Sequence, residues 1–168
     1  MSHSVRVDVI TASRHGSTAE VGEAMARRLR DRGHDARTLD AGEVEELDRE
    51  AAIILGSPIY MGKWLKPARR LAEQLGAEPP GRPLWMFSTG PLGDPPEPAD
   101  AKPDEPVARV AAERATEHRV LTGRLSRAEL GFRERMAIRA VKAPEGDFRD
   151  FDAVEAWADE IAAALDAR

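Results

Sequence analysis

The stretch from Thr11 to Thr18 combines hydroxyl, basic and glycine residues in an order that suits anion binding. Gly16 lets backbone N–H groups approach an anion closely. A helix that begins at Ser17 would add unpaired N–H groups and a partial positive charge. We interpret the loop as a phosphate cradle, whose donors and charges are Ser13, Arg14, His15, Gly16, Ser17 and Thr18.

The same residues also have a simpler interpretation, because Ser17 with Glu20 three positions on matches a capping box and Gly16 is a common turn residue. Two known phosphate motifs are missing from the sequence. The lysine of G-x-x-x-x-G-K-[ST] is absent, and so is G-x-G-x-x-G. The loop is therefore neither a nucleotide P-loop nor a dinucleotide fingerprint.

A second loop, from Gly56 to Trp64, carries two aromatic residues beyond an apolar run. Tyr60, the only tyrosine, and Trp64 are suited to wall a planar ring by stacking. The alternative is that both pack the next helix against the sheet. The residues predicted to line one side of such a ring are Pro58, Ile59, Tyr60, Met61 and Gly62.

A third loop contains Gly90 and Gly93, whose backbone N–H groups can face the edge of a ligand. Taken alone it is only a turn, and it gains meaning because it follows another predicted strand. The ligand-facing residues predicted here are Ser88, Thr89, Gly90, Pro91, Leu92 and Gly93.

Strand and helix patterns alternate along the chain around these loops. Short apolar runs predict strands at 5–10, 36–39, 51–55, 84–87 and 119–122. Apolar residues at helical spacing predict helices at 17–32, 67–76, 107–116 and 154–165. This order predicts one doubly wound α/β domain over residues 1–168, with ligands at the carboxyl ends of parallel strands. Arg6 and Asp8 interrupt the first strand, which argues against a fully buried position for it.

Composition excludes several kinds of function. The 168 residues carry a net charge of −5, which argues against nucleic-acid binding. There is no cysteine, which excludes disulfides, thiol catalysis and an iron–sulfur cluster held by this chain's thiolates. A redox function would therefore need an organic cofactor.

The three loops, in this order, resemble the flavodoxin superfamily. The resemblance implies a three-layer fold with a five-stranded parallel sheet of order 2-1-3-4-5, and FMN as cofactor. It implies that residues 13–18 bind the phosphate, that residues 58–62 line one side of the isoalloxazine ring, and that residues 88–93 contact its edge or other side.

The carboxy-terminal part resembles the menaquinone-dependent protoporphyrinogen IX dehydrogenase branch, through Gly123-Arg-Leu, Gly131-Phe-Arg-Glu-Arg-Met-Ala-Ile-Arg and Gly146-Asp-Phe-Arg-Asp-Phe-Asp. This resemblance implies an insertion at about 124–150, before the last helix. It also implies an FMN-dependent oxidoreductase that oxidises protoporphyrinogen or a related substrate with a quinone acceptor. The third loop has no aromatic residue, and we expect one open ring face, which favours an enzyme.

Two alternatives remain: an electron-transfer flavodoxin that only docks to redox partners, and a flavin-free binding or signalling domain. A receiver domain is disfavoured because no acidic pair follows the first strand. No catalytic acid or base is identified: His15 is assigned to the phosphate loop, and His118 is expected to precede the fifth strand. Residues 91–106, with six prolines and five acidic residues, predict an irregular loop or lid.

Residues 124–142 contain six Lys or Arg and two Glu, interleaved with apolar residues. Such a segment could touch an anionic membrane surface or an acidic, porphyrin-type substrate. The alternative is a helix whose apolar side packs on the domain. Near the last helix, Asp150 or Asp152 is expected to act as a cap and Arg149 to form a local ion pair, with no metal bound.

The sequence also carries an expectation about location. No apolar run approaches the roughly 20 residues that span a bilayer, and no signal-peptide pattern precedes Val5. We therefore expect a cytoplasmic protein, and residues 124–142 are the segment through which it could contact the inner face of the membrane.

Overall fold

The computed structural model describes residues 3–98 and 100–168. Met1, Ser2 and Ala99 lie outside the described residues. The prediction that no signal peptide precedes Val5 therefore concerns residues that are partly outside the described ones. One position of the predicted 91–106 loop, Ala99, also lies outside them.

The main sheet contains β1 (Arg6–Thr11), β2 (Asp35–Asp40), β3 (Ala52–Tyr60), β4 (Lys63–Trp64), β5 (Leu84–Thr89) and β6 (Glu117–Leu121). A separate hairpin is formed by β7 (Arg124–Leu125) and β8 (Gly146–Asp147). The helices are α1 (Ser17–Asp31), α2 (Lys66–Ala77), α3 (Glu105–Glu113), α4 (Phe132–Val141) and α5 (Phe151–Asp166), with a 3-10 turn at Arg127–Glu129.

Five parallel strands form the sheet in the order β2-β1-β3-β5-β6. This is the predicted order 2-1-3-4-5, since β5 and β6 are the predicted fourth and fifth strands. β4 is an additional strand that runs antiparallel to β3. The doubly wound α/β fold is therefore confirmed, and the carboxyl ends of β1, β3 and β5 lie side by side.

Two apolar clusters cover the two faces of the sheet and complete the three layers. One packs α1 and α5 on the sheet around Leu29, Phe87 and Trp157. The other packs α2 and α3 on the opposite face around Leu71 and Met86. Burial of such side chains, at roughly 1.5–3 kcal/mol each, is the main favourable term in folding.

The first strand is central and buried although Asp8 interrupts it. The carboxylate of Asp8 is buried and accepts two hydrogen bonds from Arg37 on β2, at 2.6 and 3.0 Å. Arg6 lies at the exposed start of the strand and pairs with Asp48 at 2.9 Å. The sequence argument against a buried strand was therefore wrong, because an ion pair between neighbouring strands compensates the buried charge.

The third strand is longer than predicted, since it continues through Gly56 and Pro58 to Tyr60. Gly56 has no side chain, and the ring of Phe87 on β5 packs over it: a Cβ there would lie 2.1 Å from Phe87 Cζ. Pro58 lies beyond the last pairing of β3 with β1, between Gly56 and Thr11, so its missing N–H costs little in the ladder. β3 therefore extends beyond the end of β1 and brings Tyr60 to the edge of the sheet.

We expect Gly56→Ala to destabilise the domain by about 1–3 kcal/mol, because the new methyl group overlaps the Phe87 ring. Chemical denaturation monitored by circular dichroism measures the change. The double variant Gly56→Ala/Phe87→Leu is the control, since a smaller side chain at 87 should return part of the lost stability. If the changes in the free energy of unfolding caused by the two substitutions are simply additive, the steric explanation is wrong.

The insertion predicted at about 124–150 corresponds to the β7–β8 hairpin, the 3-10 turn and α4. Asp150 caps α5, as predicted: its carboxylate accepts a hydrogen bond from the Ala153 N–H at 2.9 Å. Arg149 pairs with Asp147 at 2.6 Å, also as predicted. Within residues 3–98 and 100–168, no helix is long and apolar enough to cross a bilayer.

Candidate functional site

The loop between β1 and α1 turns at Gly16, which adopts a left-handed conformation with φ 80°. Gly16, and not Ser17, is the N-cap of α1, and no side chain caps this helix end. The predicted capping box is therefore wrong. Glu20 instead forms a 2.6 Å ion pair with Arg149. The first turn of α1 thus keeps donor groups that a capping side chain would have used.

Unpaired donors converge at this helix end. The Glu20 N–H donates to the Gly16 carbonyl at 2.9 Å, so the preceding N–H groups have no acceptor within the helix. The Ser17 hydroxyl is buried and has no hydrogen-bond partner among the described residues. Thr18 is buried as well, and its hydroxyl lies 2.8 Å from that of Thr89 on β5. A buried hydroxyl without a partner is costly unless a ligand satisfies it.

Two arginines of the insertion donate hydrogen bonds to the main chain of this loop. Arg124 donates to the His15 carbonyl oxygen, and Arg149 donates to the Ser17 carbonyl oxygen, each at 3.2 Å. The Arg149 side chain is only 4% exposed, and hydrogen bonding to Asp147 raises its pKa above the usual value. These contacts span more than 100 residues of sequence, and local spacing could not have revealed them.

The second loop is a tight β-hairpin that places Tyr60. β3 and β4 pair Tyr60 with Lys63, and the two residues between them, Met61 and Gly62, both have positive φ. This geometry is typical of a two-residue type I′ turn. Met61 is exposed at the tip, so Met61 and Gly62 position the hairpin without lining a cavity. The guanidinium of Arg14 lies over the Tyr60 ring, 4.8 Å from its centroid.

The third loop contributes through Thr89, Gly90 and Leu92, whereas Ser88 faces the interior. The buried Ser88 hydroxyl accepts from Trp64 Nε1 at 2.8 Å and lies 2.9 Å from His118 Nε2. Trp64 is therefore a packing residue, in keeping with the second of the two interpretations above. His118 lies within β6 and does not precede it, and burial lowers its pKa.

These loops and the insertion enclose one cavity of about 170 Å³. Eleven of the seventeen predicted site residues line it: Ser13, Arg14, His15, Ser17, Thr18, Pro58, Ile59, Tyr60, Thr89, Gly90 and Leu92. The other six do not: Gly16, Met61, Gly62, Ser88, Pro91 and Gly93. The sequence analysis missed the lining residues Gly123, Arg124, Leu125, Leu130, Glu134 and Ile138.

The missed residues belong to the end of β6 and to the insertion, which the sequence analysis treated as a surface feature. Leu130 and Ile138 stand among the apolar residues interleaved with the charges of that segment. This pattern indicated an amphipathic helix, but not that its apolar side faces the cavity. Gly123 packs closely on the third loop, since a Cβ there would lie 3.4 Å from the Gly90 nitrogen.

The carboxylate of Glu134 is the one acidic group among the cavity-lining residues. It forms an ion pair with Arg14 at 2.8 Å and lies 3.3 Å from His15 Nε2. Its other oxygen accepts from the Gly131 N–H at 2.9 Å, at the start of α4. The pKa of Glu134 lies below its usual value. The hydrogen bond from the Gly131 N–H is the largest cause, and the contacts with His15 and Arg14 lower the pKa further.

A model of the flavodoxin domain matches residues 9–152, which is most of the chain and includes all three loops. The chain belongs to the flavodoxin domain family. Flavodoxin domains bind FMN and transfer electrons to redox partners. No curated protein sequence gives a significant match to the chain.

Solved structures agree on the fold. A flavodoxin from the domain Archaea superposes with a TM-score of 0.65 at 14% identity, covering 96% of this flavodoxin domain and 99% of that chain. A flavodoxin from Streptococcus pneumonia TIGR4 gives 0.66 at 17% identity, with 95% and 99% covered. Rubredoxin oxygen:oxidoreductase from Desulfovibrio gigas gives 0.64 at 14% identity, but only 36% of that chain is covered. At these identities the likeness concerns the fold alone.

The residues of this flavodoxin domain fit FMN on structural grounds. The free donors of the first turn of α1 and the unpartnered Ser17 hydroxyl suit the phosphate group. Tyr60, Ile59 and Leu92 provide an aromatic and apolar lining for a planar ring. The loops assigned from the sequence to phosphate and ring are therefore adjacent walls of the same cavity.

We expect Ser17→Ala to weaken FMN binding by about 5- to 20-fold, because one hydroxyl donor to the phosphate is lost. Riboflavin, which lacks the phosphate, should bind with unchanged affinity, and flavin fluorescence titration measures both constants. The free energy of unfolding without ligand should stay the same or rise, since the hydroxyl has no hydrogen-bond partner in the described part of the chain. An unchanged FMN affinity would contradict the assignment of this loop.

Arg149→Lys should also weaken FMN binding, by about 3- to 10-fold, because lysine cannot hold the Ser17 carbonyl, Glu20 and Asp147 at once. Riboflavin affinity should change much less. Arg27→Lys is the matched control, since Arg27 forms an exposed pair with Glu155 far from the cavity. Equal losses for FMN and riboflavin would mean that Arg149 supports the fold and not the phosphate loop.

Proposed function

We propose that this flavodoxin domain is an FMN-dependent oxidoreductase that acts on a substrate of its own. Its proposed substrate is protoporphyrinogen or a related reduced tetrapyrrole, and its proposed electron acceptor is a quinone. The observation that carries this proposal is the position of the insertion, which lines the flavin cavity and also exposes a basic, apolar surface beside it.

This surface, called here the α4 surface, consists of Phe132 and Met136 surrounded by four cations: Arg127, Arg135, Arg139 and Lys142. Phe132 is 80% exposed and Met136 is 54% exposed, although both are large and apolar. Exposed apolar side chains at one place favour an interaction site. An apolar macrocycle with carboxylate groups matches both features, because arginine binds carboxylates well.

Bound FMN supplies hydride or single-electron transfer, while the protein binds and orients it. Ser13, Ser17 and Thr18 provide hydroxyls for the phosphate, and Tyr60 provides an aromatic wall. Leu130 and Ile138 are placed to keep water out of the cavity. No side chain is assigned to proton transfer. His118 does not line the cavity, and its Nε2 lies 2.9 Å from the Ser88 hydroxyl.

The sequence analysis expected one open ring face, since the third loop lacks an aromatic residue. Leu92 does stand in that loop without an aromatic neighbour, but Leu130 and Ile138 of the insertion also line the cavity. A substrate would therefore need the insertion to move in order to reach the ring. The argument for an enzyme rests on the α4 surface and not on an open ring face.

A quinone acceptor dissolved in a membrane would require contact between the domain and the bilayer. The α4 surface suits such a contact, since exposed apolar residues enter the interface and cations attract anionic lipids. Val141, which is also exposed, lies at the end of the same helix. We therefore include peripheral contact with an anionic membrane through residues 124–142 in the proposal.

The second candidate is an electron-transfer flavodoxin without its own substrate. The superposition with the archaeal flavodoxin favours it, because that superposition covers 96% of this chain and 99% of the flavodoxin. In that case the α4 surface would dock an acidic redox protein. The insertion favours the first candidate, because docking alone does not require a helix that also closes the flavin cavity.

We expect the FMN-loaded protein to oxidise protoporphyrinogen anaerobically when a menaquinone analogue is present, with porphyrin fluorescence as the readout. Arg135→Glu/Arg139→Glu should lower kcat/KM by about 10-fold or more, because two cations facing the substrate carboxylates become anions. The FMN dissociation constant should stay the same.

Arg49→Glu/Arg109→Glu is the control, since it makes the same charge change on exposed residues away from the cavity. A protein that binds FMN but yields no porphyrin with any quinone would contradict the proposed substrate. Reduction by a flavodoxin reductase followed by electron transfer to an acceptor protein would then favour the second candidate.

A further inference from the structure

The insertion reaches the phosphate loop through one carboxylate. Glu134 lies in the first turn of α4, and its side chain is only 13% exposed. It forms an ion pair with Arg14 at 2.8 Å and lies 3.3 Å from His15 Nε2, both in the phosphate loop. An anion of the protein therefore already occupies the basic groups that the loop offers to a phosphate.

The same contacts close the cavity. Arg14 lies between Glu134 and the Tyr60 ring, so that it links the phosphate loop, the second loop and α4. The cavity of about 170 Å³ is smaller than the roughly 300–1,000 Å³ of typical cofactor sites. A flavin would need more room than this arrangement leaves.

We propose that Glu134 is an internal competitor for the phosphate group of FMN. In the absence of ligand, its carboxylate holds Arg14 and His15 and thereby fastens α4 over the cavity. FMN binds by displacing Glu134 from these two residues, because a phosphate and a carboxylate beside the same guanidinium of Arg14 repel each other. Binding of the cofactor then frees α4.

Displacement would not detach the whole insertion. Arg124 and Arg149 donate to the main-chain carbonyl oxygens of His15 and Ser17, and neither of these two contacts involves Glu134. The β7–β8 hairpin would therefore stay in place while α4 moves. Movement of α4 would also change the position of the α4 surface, since Phe132 and Met136 lie on this helix.

The inference rests on FMN as cofactor but not on a porphyrin substrate, and binding measurements alone test it. Glu134→Gln removes the charge and keeps a side chain that can accept from the Gly131 N–H, as capping boxes allow. We expect FMN to bind about 3- to 10-fold more tightly to this variant, and riboflavin to bind with little change. Glu113→Gln, an exposed residue on α3, is the matched control.

Hydrogen exchange provides the second measurement, with the wild-type protein and saturating FMN. Amides of the first turn of α1 should exchange more slowly when FMN binds, whereas those of 132–141 should exchange faster. Slower exchange in both segments would overturn the proposal, because α4 would then close on the cofactor. Unchanged or weaker FMN binding to Glu134→Gln would overturn it as well.

These results separate the inference from the proposed function. If Glu134→Gln binds FMN as the wild type does while porphyrinogen is oxidised, the competition is wrong and the enzyme stands. If the variant gains affinity while no porphyrin forms, the competition stands and the substrate is wrong.

Discussion

The site depends on two hydrogen bonds from arginines to main-chain carbonyls, those of Arg124 to His15 and Arg149 to Ser17. A loop that binds phosphate must turn its N–H groups inward, which leaves carbonyl oxygens facing outward. Here the outward oxygens are satisfied by guanidinium groups from a part of the chain more than 100 residues away. The left-handed turn at Gly16 and the uncapped start of α1 are stable in this setting because the insertion holds the loop from behind.

Much of the fold could be predicted because it follows from local patterns. Strand and helix periodicities predicted the alternating α/β pattern, and the resemblance to the flavodoxin superfamily implied the sheet order. The loops after β1, β3 and β5 meet at one edge because parallel strands share a direction. The length of β3 was missed, since Gly56 and Pro58 usually end strands. Both residues are tolerated because of neighbouring strands. The Phe87 ring packs over Gly56, and β1 has already ended where Pro58 lacks an N–H.

The candidate site was predictable only where one short segment determines the geometry. Of the eleven predicted site residues that line the cavity, eight come from the first two loops, whose sequences alone indicate donors and aromatics. Ser88 was misplaced because alternation along β5 sends its side chain inward, to Trp64 and His118. Glu134 could not be found, because the bonds that bring it to Arg14 join segments with no shared pattern.

The placement of the tryptophans has a spectroscopic consequence. Trp64, Trp85 and Trp157 are all buried, and Tyr60 is the only tyrosine and lines the cavity. The emission of the indoles therefore reports the integrity of the packed layers, with a blue-shifted maximum that moves to the red on unfolding. A bound flavin absorbs in the range of that emission and therefore lowers its intensity. In one emission spectrum, the wavelength of the maximum reports the intact core and the intensity reports the occupied cavity.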